Sequence, residues 1–333
     1  MERDISEIKR RKRRAAQEAA AQTLCTVCAA FALLAVSAIT VYMLKSGIPA
    51  IRRVGLAEIL LGTQWSPVAA KPRFGILYVI LTSVVGTLLA SLIGIPLGVL
   101  TAVFLAETPG KRTTGLVGGT VELLAGIPSV IYGLLGVYLL NPWMYRLERR
   151  IFAGSSTHRF TGGANLLSAA IVLAVMMLPT VISISEASIR AVKPSVREAS
   201  LALGASRAQT CFLAVLPAAG PGIATAVVLG IGRAVGEAMA ITLVSGGSVN
   251  MPFPFSSVRF LTTAVVGEMG YAHGLHRQVL FTIGLVLFAF IMMLNLWLTR
   301  ILRGGRTDVG QGWTGISFGE KRVKSKGVHG GRK

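Results

Sequence analysis

Two ionisable residues, Arg233 and Glu237, stand inside an apolar stretch that runs from 218 to 245. A charge at the centre of a bilayer costs on the order of 2.5–3.5 kcal/mol on insertion scales, so two such charges need a physical reason. Their i, i+4 spacing predicts that they share one helix face, where the two charges could neutralise each other. An ion pair that merely orients the helix is therefore one interpretation of these residues.

The second interpretation is that the pair binds an anion. Arg233 offers a planar, permanently charged guanidinium that suits an oxyanion. Glu237 would accept a hydrogen bond from a protonated oxygen, which hydrogen phosphate carries at neutral pH and sulfate lacks. Ser129, in the sequence Gly126-Ile127-Pro128-Ser129, could hydrogen-bond the same anion. The Gly-x-Pro before it equally indicates a broken helix lining a cavity, and the sequence leaves both interpretations open.

The elements that must hold these residues are membrane-spanning helices. The 333 residues are 53% hydrophobic and 14% charged, with a mean hydropathy of +0.65, whereas a typical soluble domain is about 25% charged. About 20 apolar residues cross a bilayer. The candidate spans lie at 19–44, 74–106, 115–140, 164–186, 218–245 and 278–299. We therefore predict an all-α polytopic membrane protein with one domain of six transmembrane helices over 20–302, the first of them an uncleaved helix and not a signal peptide.

The positive charge is distributed unevenly between the two sides of this topology. The chain carries a net charge of +20, and 22 Lys and Arg residues fall on the side of both termini against 11 on the other. The positive-inside rule places both termini in the cytoplasm. We expect a basic cytoplasmic segment over 1–19 and a disordered basic tail over 303–333. Basic segments beside anionic membrane lipid need no nucleic-acid partner.

The segment 195–217 lies between two spans on the predicted cytoplasmic side. Ser195 and Glu198 have the spacing of a capping box, which predicts a helix start. Gly204 is a natural helix stop, and a second short helix would lead to Pro217. This helix–glycine–helix pattern predicts a surface that projects into the cytoplasm, although a simple interfacial connector would have the same pattern.

The remaining motifs give no sign of catalysis. A Walker-type phosphate loop is absent from the sequence, so ATP hydrolysis by this chain is not expected. The Cys25-x-x-Cys28 pair lies in an apolar helix without a second pair, and we expect no metal site. Two glycine pairs, Gly94-x3-Gly98 and Gly232-x3-Gly236, predict close helix approach at both places.

The cytoplasmic segment resembles the EAA loop of ABC importer permeases. Five residues match that motif at the right intervals, and they are Glu198, Ala199, Gly204, Leu216 and Pro217. Ser200 and Ala214 depart mildly from it. The resemblance implies the six-helix, MetI-like permease fold and a loop that docks on a partner ATPase, with Glu198, Ala199 and Gly204 as coupling contacts. It also implies no cofactor in this chain, because the ATPase binds ATP and Mg.

A further resemblance is to the phosphate-specific PstC-type permeases. It is carried by 125–134, by Gly232-Arg233-x-x-Gly-Glu237-x-Met239-Ala240, by 104–107 and by 280–295. Ala238 replaces the usual Thr. This resemblance implies phosphate import with a PstA-type sister permease, two copies of a PstB-type ATPase and a PstS-type phosphate-binding protein. The alternatives are the sister subunit, a permease for another oxyanion, an ion-coupled carrier and a phosphate-sensing scaffold.

Overall fold

The computed structural model describes residues 2–107 and 110–304, which are almost entirely helical. The helices in these ranges are α1 (Glu2–Val54), α2 (Leu56–Leu61), α3 (Leu77–Glu107), α4 (Lys111–Gly126), α5 (Ser129–Leu135), α6 (Asn141–Ile151), α7 (Leu166–Arg190), α8 (Pro194–Ala202), α9 (Arg207–Gln209), α10 (Leu216–Gly236), α11 (Met239–Val244), α12 (Leu261–Glu268) and α13 (Gly274–Gly304).

Short non-α segments complete the described chain. Two π-helical segments, Gly136–Leu140 and Thr210–Val215, join α5 to α6 and α9 to α10. Strands β1 (Trp65–Ser66) and β2 (Arg73–Phe74) form a small antiparallel hairpin. Each π-helical segment runs directly into the helices on either side of it. It therefore lengthens a helix and does not form a separate element.

Five helical segments in the described ranges are long and apolar enough to cross a bilayer. They are Gln17–Val54, Leu77–Glu107, Leu166–Arg190, Arg207–Gly236 and Gly274–Trp297. A bent pair, Thr114–Gly126 and Ser129–Ile151, passes the same test together but turns by 102° at its break. The all-α prediction is confirmed, and the predicted six spans are reached when this bent pair counts as one.

Several predicted boundaries change. The predicted span over 218–245 is not one helix, because α10 ends at Gly236 and α11 begins at Met239. Residues 2–19 belong to the same helix as the first span. From residue 305 onward, the predicted disordered tail over 303–333 lies outside the described residues.

Helix α7 is the central element of the bundle. Its sequence is apolar on every side, as expected for a helix surrounded by others, and the Asn165 side chain caps its start by accepting from Ser168 N at 3.0 Å. Helices α3 and α10 pack along it. At one end of the bundle lie Glu107, Arg190 and α8, which we call the loop end. The hairpin and α12 lie at the opposite end.

Candidate functional site

Arg233 lies with Leu229 and Gly236 on the exposed face of α10, which we call its uncovered face. Ala226, Gly230 and Ala234 form the buried face of this helix, whereas Arg233 is exposed. Its Nη1 donates to Thr180 Oγ1 at 3.3 Å. At 1.5 Å per residue, Thr180 is about 21 Å from the start of α7 and about 15 Å from its end. The guanidinium is therefore near the middle of the central helix.

Glu237 is placed differently from the sequence prediction. It follows the last residue of α10 with an extended backbone (ψ 134°), so it does not share a helix face with Arg233. Its Oε1 instead accepts from Ala240 N at 3.1 Å at the start of α11. The predicted shared helix face is wrong, because the helix breaks between the two side chains and the Glu237 carboxylate binds an α11 amide. In the described ranges the two charges form no ion pair, so the interpretation as a self-neutralising pair is not supported.

The two glycine pairs have opposite environments. A Cβ at Gly94 would lie 2.7 Å from Met177 Sδ, and one at Gly98 would lie 2.7 Å from a Val181 methyl, so close packing of α3 on α7 is confirmed. A Cβ at Gly232 or Gly236 would meet nothing within 4 Å among the described residues. The prediction of tight packing is wrong for this second pair, because the uncovered face of α10 leaves both glycines beside open space.

Ser129 begins α5 directly after the break at Pro128. The bend before it is fixed by Tyr132, whose hydroxyl donates to the Leu124 carbonyl at 2.6 Å. The predicted helix break at this Gly-x-Pro is confirmed. Ser129 itself is half-buried, and no contact between its hydroxyl and Arg233 or Glu237 is recorded in the described chain.

Helices α5 and α11 run side by side in parallel. A Cβ at Gly133 would meet the Ala240 backbone at 2.9 Å, and one at Gly136 would meet a Val244 methyl at 2.5 Å. In the same register, Met239 at the start of α11 lies at about the level of Tyr132 of α5. Two helices that each begin at a break therefore lie next to each other.

The cytoplasm-predicted segment forms an exposed helical turn. Glu198 and Ala199 are exposed on α8, and Leu203 just after it is 89% exposed. Gly204 has φ +84°, the left-handed conformation that glycine adopts without strain. The predicted glycine stop between two helices is confirmed.

The cap of this segment is not where the sequence predicts it. Lys193, not Ser195, precedes the first residue of α8, and no side chain caps that helix. The capping box instead opens α9, where the Ser206 hydroxyl accepts from Gln209 N at 3.2 Å and Gln209 Oε1 accepts from Ser206 N at 2.8 Å. Pro194 supplies the start of α8, since proline fits the first turn of a helix.

Comparison with known proteins identifies the family. Residues 94–306 match the model of the binding-protein-dependent transport system inner membrane component. The chain belongs to this family. It is 37% identical over 267 residues to the "Probable ABC transporter permease protein YqgH" of Bacillus subtilis, with 78% of this chain and 83% of that protein covered. It is also 30% identical to the "Phosphate transport system permease protein PstC" of Haemophilus influenzae, with 80% and 87% covered.

The fold agrees with this assignment. One chain of a solved bacterial alginate ABC transporter, in complex with its alginate-bound periplasmic protein, superimposes with a TM-score of 0.58 at 19% identity, covering 82% of this chain and 93% of that one. The chain is thus a multi-pass ABC importer permease of the PstC type in the inner membrane. A permease of this family works with a separate ATPase and a binding protein, and it is not itself the ATPase.

Two buried carboxylates in this permease were not anticipated from its sequence. Glu148 is 0% exposed and accepts from Thr161 N and Thr161 Oγ1, both at 3.0 Å, with His158 Nε2 at 2.9 Å. Glu268 holds a similar network at the end opposite the loop end, formed by Trp65, Arg259 and His276. His158, Thr161, Arg259 and His276 lie in segments that flank the two carboxylates at irregular spacings, and only Trp65 is distant in the chain, so no short motif indicated either network.

Arg197 was also missed, although it stands first in the segment that resembles the EAA loop. Its guanidinium donates to Glu107 Oε1 at 2.8 Å, to the Val192 carbonyl at 2.9 Å and to the Ile189 carbonyl at 3.0 Å. The only available signal was that a stretch ending in Glu107 and the loop both resemble the same family. Arg197 therefore ties α8 to the ends of α3 and α7.

Proposed function

We propose that this permease forms half of the pathway through which an ABC importer carries inorganic phosphate into the cytoplasm. One observation carries the proposal: Arg233 lies exposed on the uncovered face of α10, at the middle of the central helix. A permanent positive charge in contact with lipid at that depth is costly. The same charge facing a polar pathway is favourable and attracts an oxyanion.

The selection of phosphate rests on Glu237. One carboxylate oxygen is held by the Ala240 amide, and the other has no hydrogen-bond partner among the described residues. That free oxygen can accept a hydrogen bond from the protonated oxygen of hydrogen phosphate. Against sulfate, which brings no proton, it presents only repulsion between negative charges. The likeness to PstC proteins of other bacteria agrees with this selection.

Ser129 is the proposed third contact of the anion. Ser129 begins α5, and α5 packs against α11, the helix that follows Glu237. A hydroxyl can donate to any phosphate oxygen and requires no change in charge. Ser129 would therefore contribute to binding, and Arg233 and Glu237 would set the charge and the selectivity.

The exposed turn from Glu198 to Gly204 is the proposed contact with the ATPase. Glu198 and Ala199 lie on the open surface of α8, and Leu203 projects beside them. Leu203, at 89% exposed, offers apolar surface that a docked partner would bury. Gly204 sets the angle between α8 and α9 and thereby the shape of the docking surface.

The proposed assembly contains a PstA-type sister permease, two copies of a PstB-type ATPase and a PstS-type phosphate-binding protein. ATP and Mg bind to the ATPase and not to this chain. Both termini lie in the cytoplasm, since most Lys and Arg residues fall on that side. The basic tails face anionic membrane lipid and need no nucleic acid.

Uptake by the reconstituted complex tests this function. Vesicles contain ATP, the binding protein is outside, and radioactive phosphate is supplied alone or with excess arsenate or sulfate. We expect arsenate to compete and sulfate not to, because arsenate also carries a proton at neutral pH. The Glu237→Gln variant should lose part of this discrimination. Equal uptake of phosphate and sulfate by the wild type would refute the assignment of substrate.

A further inference from the structure

Helix α3 makes contacts at both of its ends. The contacts at the loop end reach the ATPase-facing turn, and those near its other end reach the segment beside Glu237. At the loop end Arg197 binds Glu107, the last residue of α3, at 2.8 Å. Arg190 of α7 also donates to the Leu105 carbonyl at 2.8 Å. The end of α3 is thus held by two guanidinium groups, and one of them belongs to α8.

Arg197 makes more contacts than a surface ion pair would, and they are mostly buried. Both charged side chains are about three-quarters buried, with 26% and 28% of their surface exposed. The same guanidinium satisfies the carbonyls of Ile189 and Val192, at and just past the end of α7. The planar fork of arginine can hold a carboxylate and two carbonyls at once, which a lysine ammonium does less well. A movement of α8 therefore acts on α3 and α7 together.

The far half of α3 holds the element next to Glu237. Ser83 Oγ accepts from Leu261 N at 2.9 Å, at the first residue of α12. The adjacent Thr262 donates its hydroxyl to the Glu237 carbonyl at 2.7 Å. Between Ser83 and Glu107, α3 continues as one helix for about 36 Å, with Pro96 inside it. It packs along α7 through Gly94 and Gly98, whose missing side chains bring the two helices into close contact.

We propose that Arg197 is a positioning residue that couples the ATPase-facing turn to α3, and that α3 transmits this movement through Ser83 and α12 to Glu237. This route runs beside the direct chain connection from α9 into α10. The segment that follows α10 is then positioned by α3, through α12, as well as by its direct connection to α10. The inference rests on the proposed function, because the movement matters only if Glu237 faces the transported anion.

Charge reversal and its rescue test the loop end of the route. Arg197→Glu and Glu107→Arg are each expected to lower phosphate transported per ATP hydrolysed by about tenfold, a size typical of coupling between sites. ATP hydrolysis and assembly of the complex should persist. The double variant restores the opposite charges but not the bonds from residue 197 to the carbonyls of Ile189 and Val192, so the ratio should recover in part. Normal coupling in the single variants, or no rescue in the double variant, would overturn the role of Arg197.

An isosteric variant guards against misfolding of the charge-reversed chains. Glu107→Gln keeps the shape of the side chain and a hydrogen-bond acceptor but removes the charge, so we expect an intermediate coupling ratio in a fully assembled complex. A wild-type ratio would contradict the proposal. Failure of the wild-type complex to transport phosphate, with another anion transported in its place, would refute the proposed function and not this route, since the ratio can be measured with that anion.

The far end of the route has its own test. Ser83→Ala removes the acceptor for Leu261 N and leaves Arg197 and Glu107 unchanged, and it should lower transport per ATP without lowering ATP hydrolysis. Thr101→Val is the matched control on the same helix, because the Thr101 hydroxyl is bonded only to its own helix, at the Leu97 carbonyl. Equal coupling ratios in the two variants would overturn transmission through α3.

Discussion

The guanidinium of Arg233 has one recorded protein partner, the Thr180 hydroxyl at 3.3 Å. A single neutral hydrogen bond is weak compensation for a charge at bilayer depth, where insertion costs on the order of 2.5–3.5 kcal/mol. The proposed pathway supplies the missing compensation as water between transport events and as the anion during them. The weak contact with Thr180 leaves the guanidinium available to phosphate. A guanidinium held tightly by a carboxylate would be less available.

Replacement of this charge tests its role directly. Arg233→Gln keeps a donor of similar length but removes the charge, so we expect phosphate uptake in vesicles to fall about a hundredfold, as when a preorganised charged donor is lost. Assembly of the complex should be unchanged, since Arg233 is exposed. Arg277→Gln is the matched control, because Arg277 is exposed on α13 and lies outside the proposed pathway. Uptake that survives in Arg233→Gln would contradict the proposal.

Glu148 allows a prediction about stability. Glu148→Ala leaves the Thr161 amide and hydroxyl without their buried acceptor, and each such group costs about 1–3 kcal/mol. We expect a lower midpoint of thermal unfolding for the purified complex. Glu122→Ala serves as the control, because Glu122 is exposed on α4. An unchanged midpoint for Glu148→Ala would show that this network contributes nothing to stability.

Among the elements, α3 and α7 form the most extensive helix–helix contact in the described part of the bundle. Small residues on α3 let its backbone approach the side chains of α7, and in a membrane such packing replaces the hydrophobic effect as the force between helices. Helices α5, α10 and α11, which lie beside the pair, are shorter, and each begins or ends at a break. Interrupted helices placed against an unbroken pair can change their angle without disturbing the core.

A substitution at this contact tests its tightness. A Cβ in Gly98→Ala would lie 2.7 Å and 3.0 Å from two atoms of Val181, whose branched side chain has little freedom to move. We expect a loss of about 1–3 kcal/mol in stability, the usual cost of overpacking, seen as a lower unfolding temperature. Gly118→Ala on α4 meets nothing within 4 Å and should be neutral or slightly stabilising. The opposite order of the two variants would contradict the packing.

Hydropathy and spacing predicted the long elements, the break at Pro128 and the stop at Gly204. They failed where local pattern and tertiary contact compete. An i, i+4 spacing places two residues on one face only if the helix continues between them. The sequence Gly236-Glu237-Ala238 did not predict that the helix ends there. The glycine pairs show the same limit, since one spacing is compatible with tight packing and with open space, and only the neighbouring helix decides between them.

For the whole molecule, the first helix shows that the fold is completed by its surroundings. Every described side chain from 17 to 34 is exposed, although the stretch is strongly apolar. Helix α1 joins the bundle only further along, where Gly47 lies against α13 and its carbonyl accepts from Thr282 Oγ1 at 3.0 Å. In the membrane this apolar flank contacts lipid or another subunit, so the isolated chain in water would expose it.

The link between ATP hydrolysis and transport gives a prediction for the assembly. Gly204→Leu forces a branched side chain into a backbone with φ +84°, at a cost of about 1–2 kcal/mol, and should turn α8 away from α9. We expect the complex to lose most of the transport that accompanies ATP hydrolysis stimulated by the loaded binding protein. Gly204→Asn is the control, because asparagine accepts the left-handed conformation. Transport and stimulation at wild-type levels in Gly204→Leu would refute the coupling role of this turn.

The glycines beside Arg233 have a consequence for how the transporter can change. Gly232 and Gly236 already present the smallest possible surface, a hydrogen atom, to the open side of α10. Any replacement at either position adds volume, so variation there can constrict the proposed pathway but never enlarge it. Acceptance of a bulkier cargo would have to come from the opposite wall or from a change in the angle of the helix. On the α10 side, the backbone of the helix itself therefore sets the maximum width of the proposed pathway.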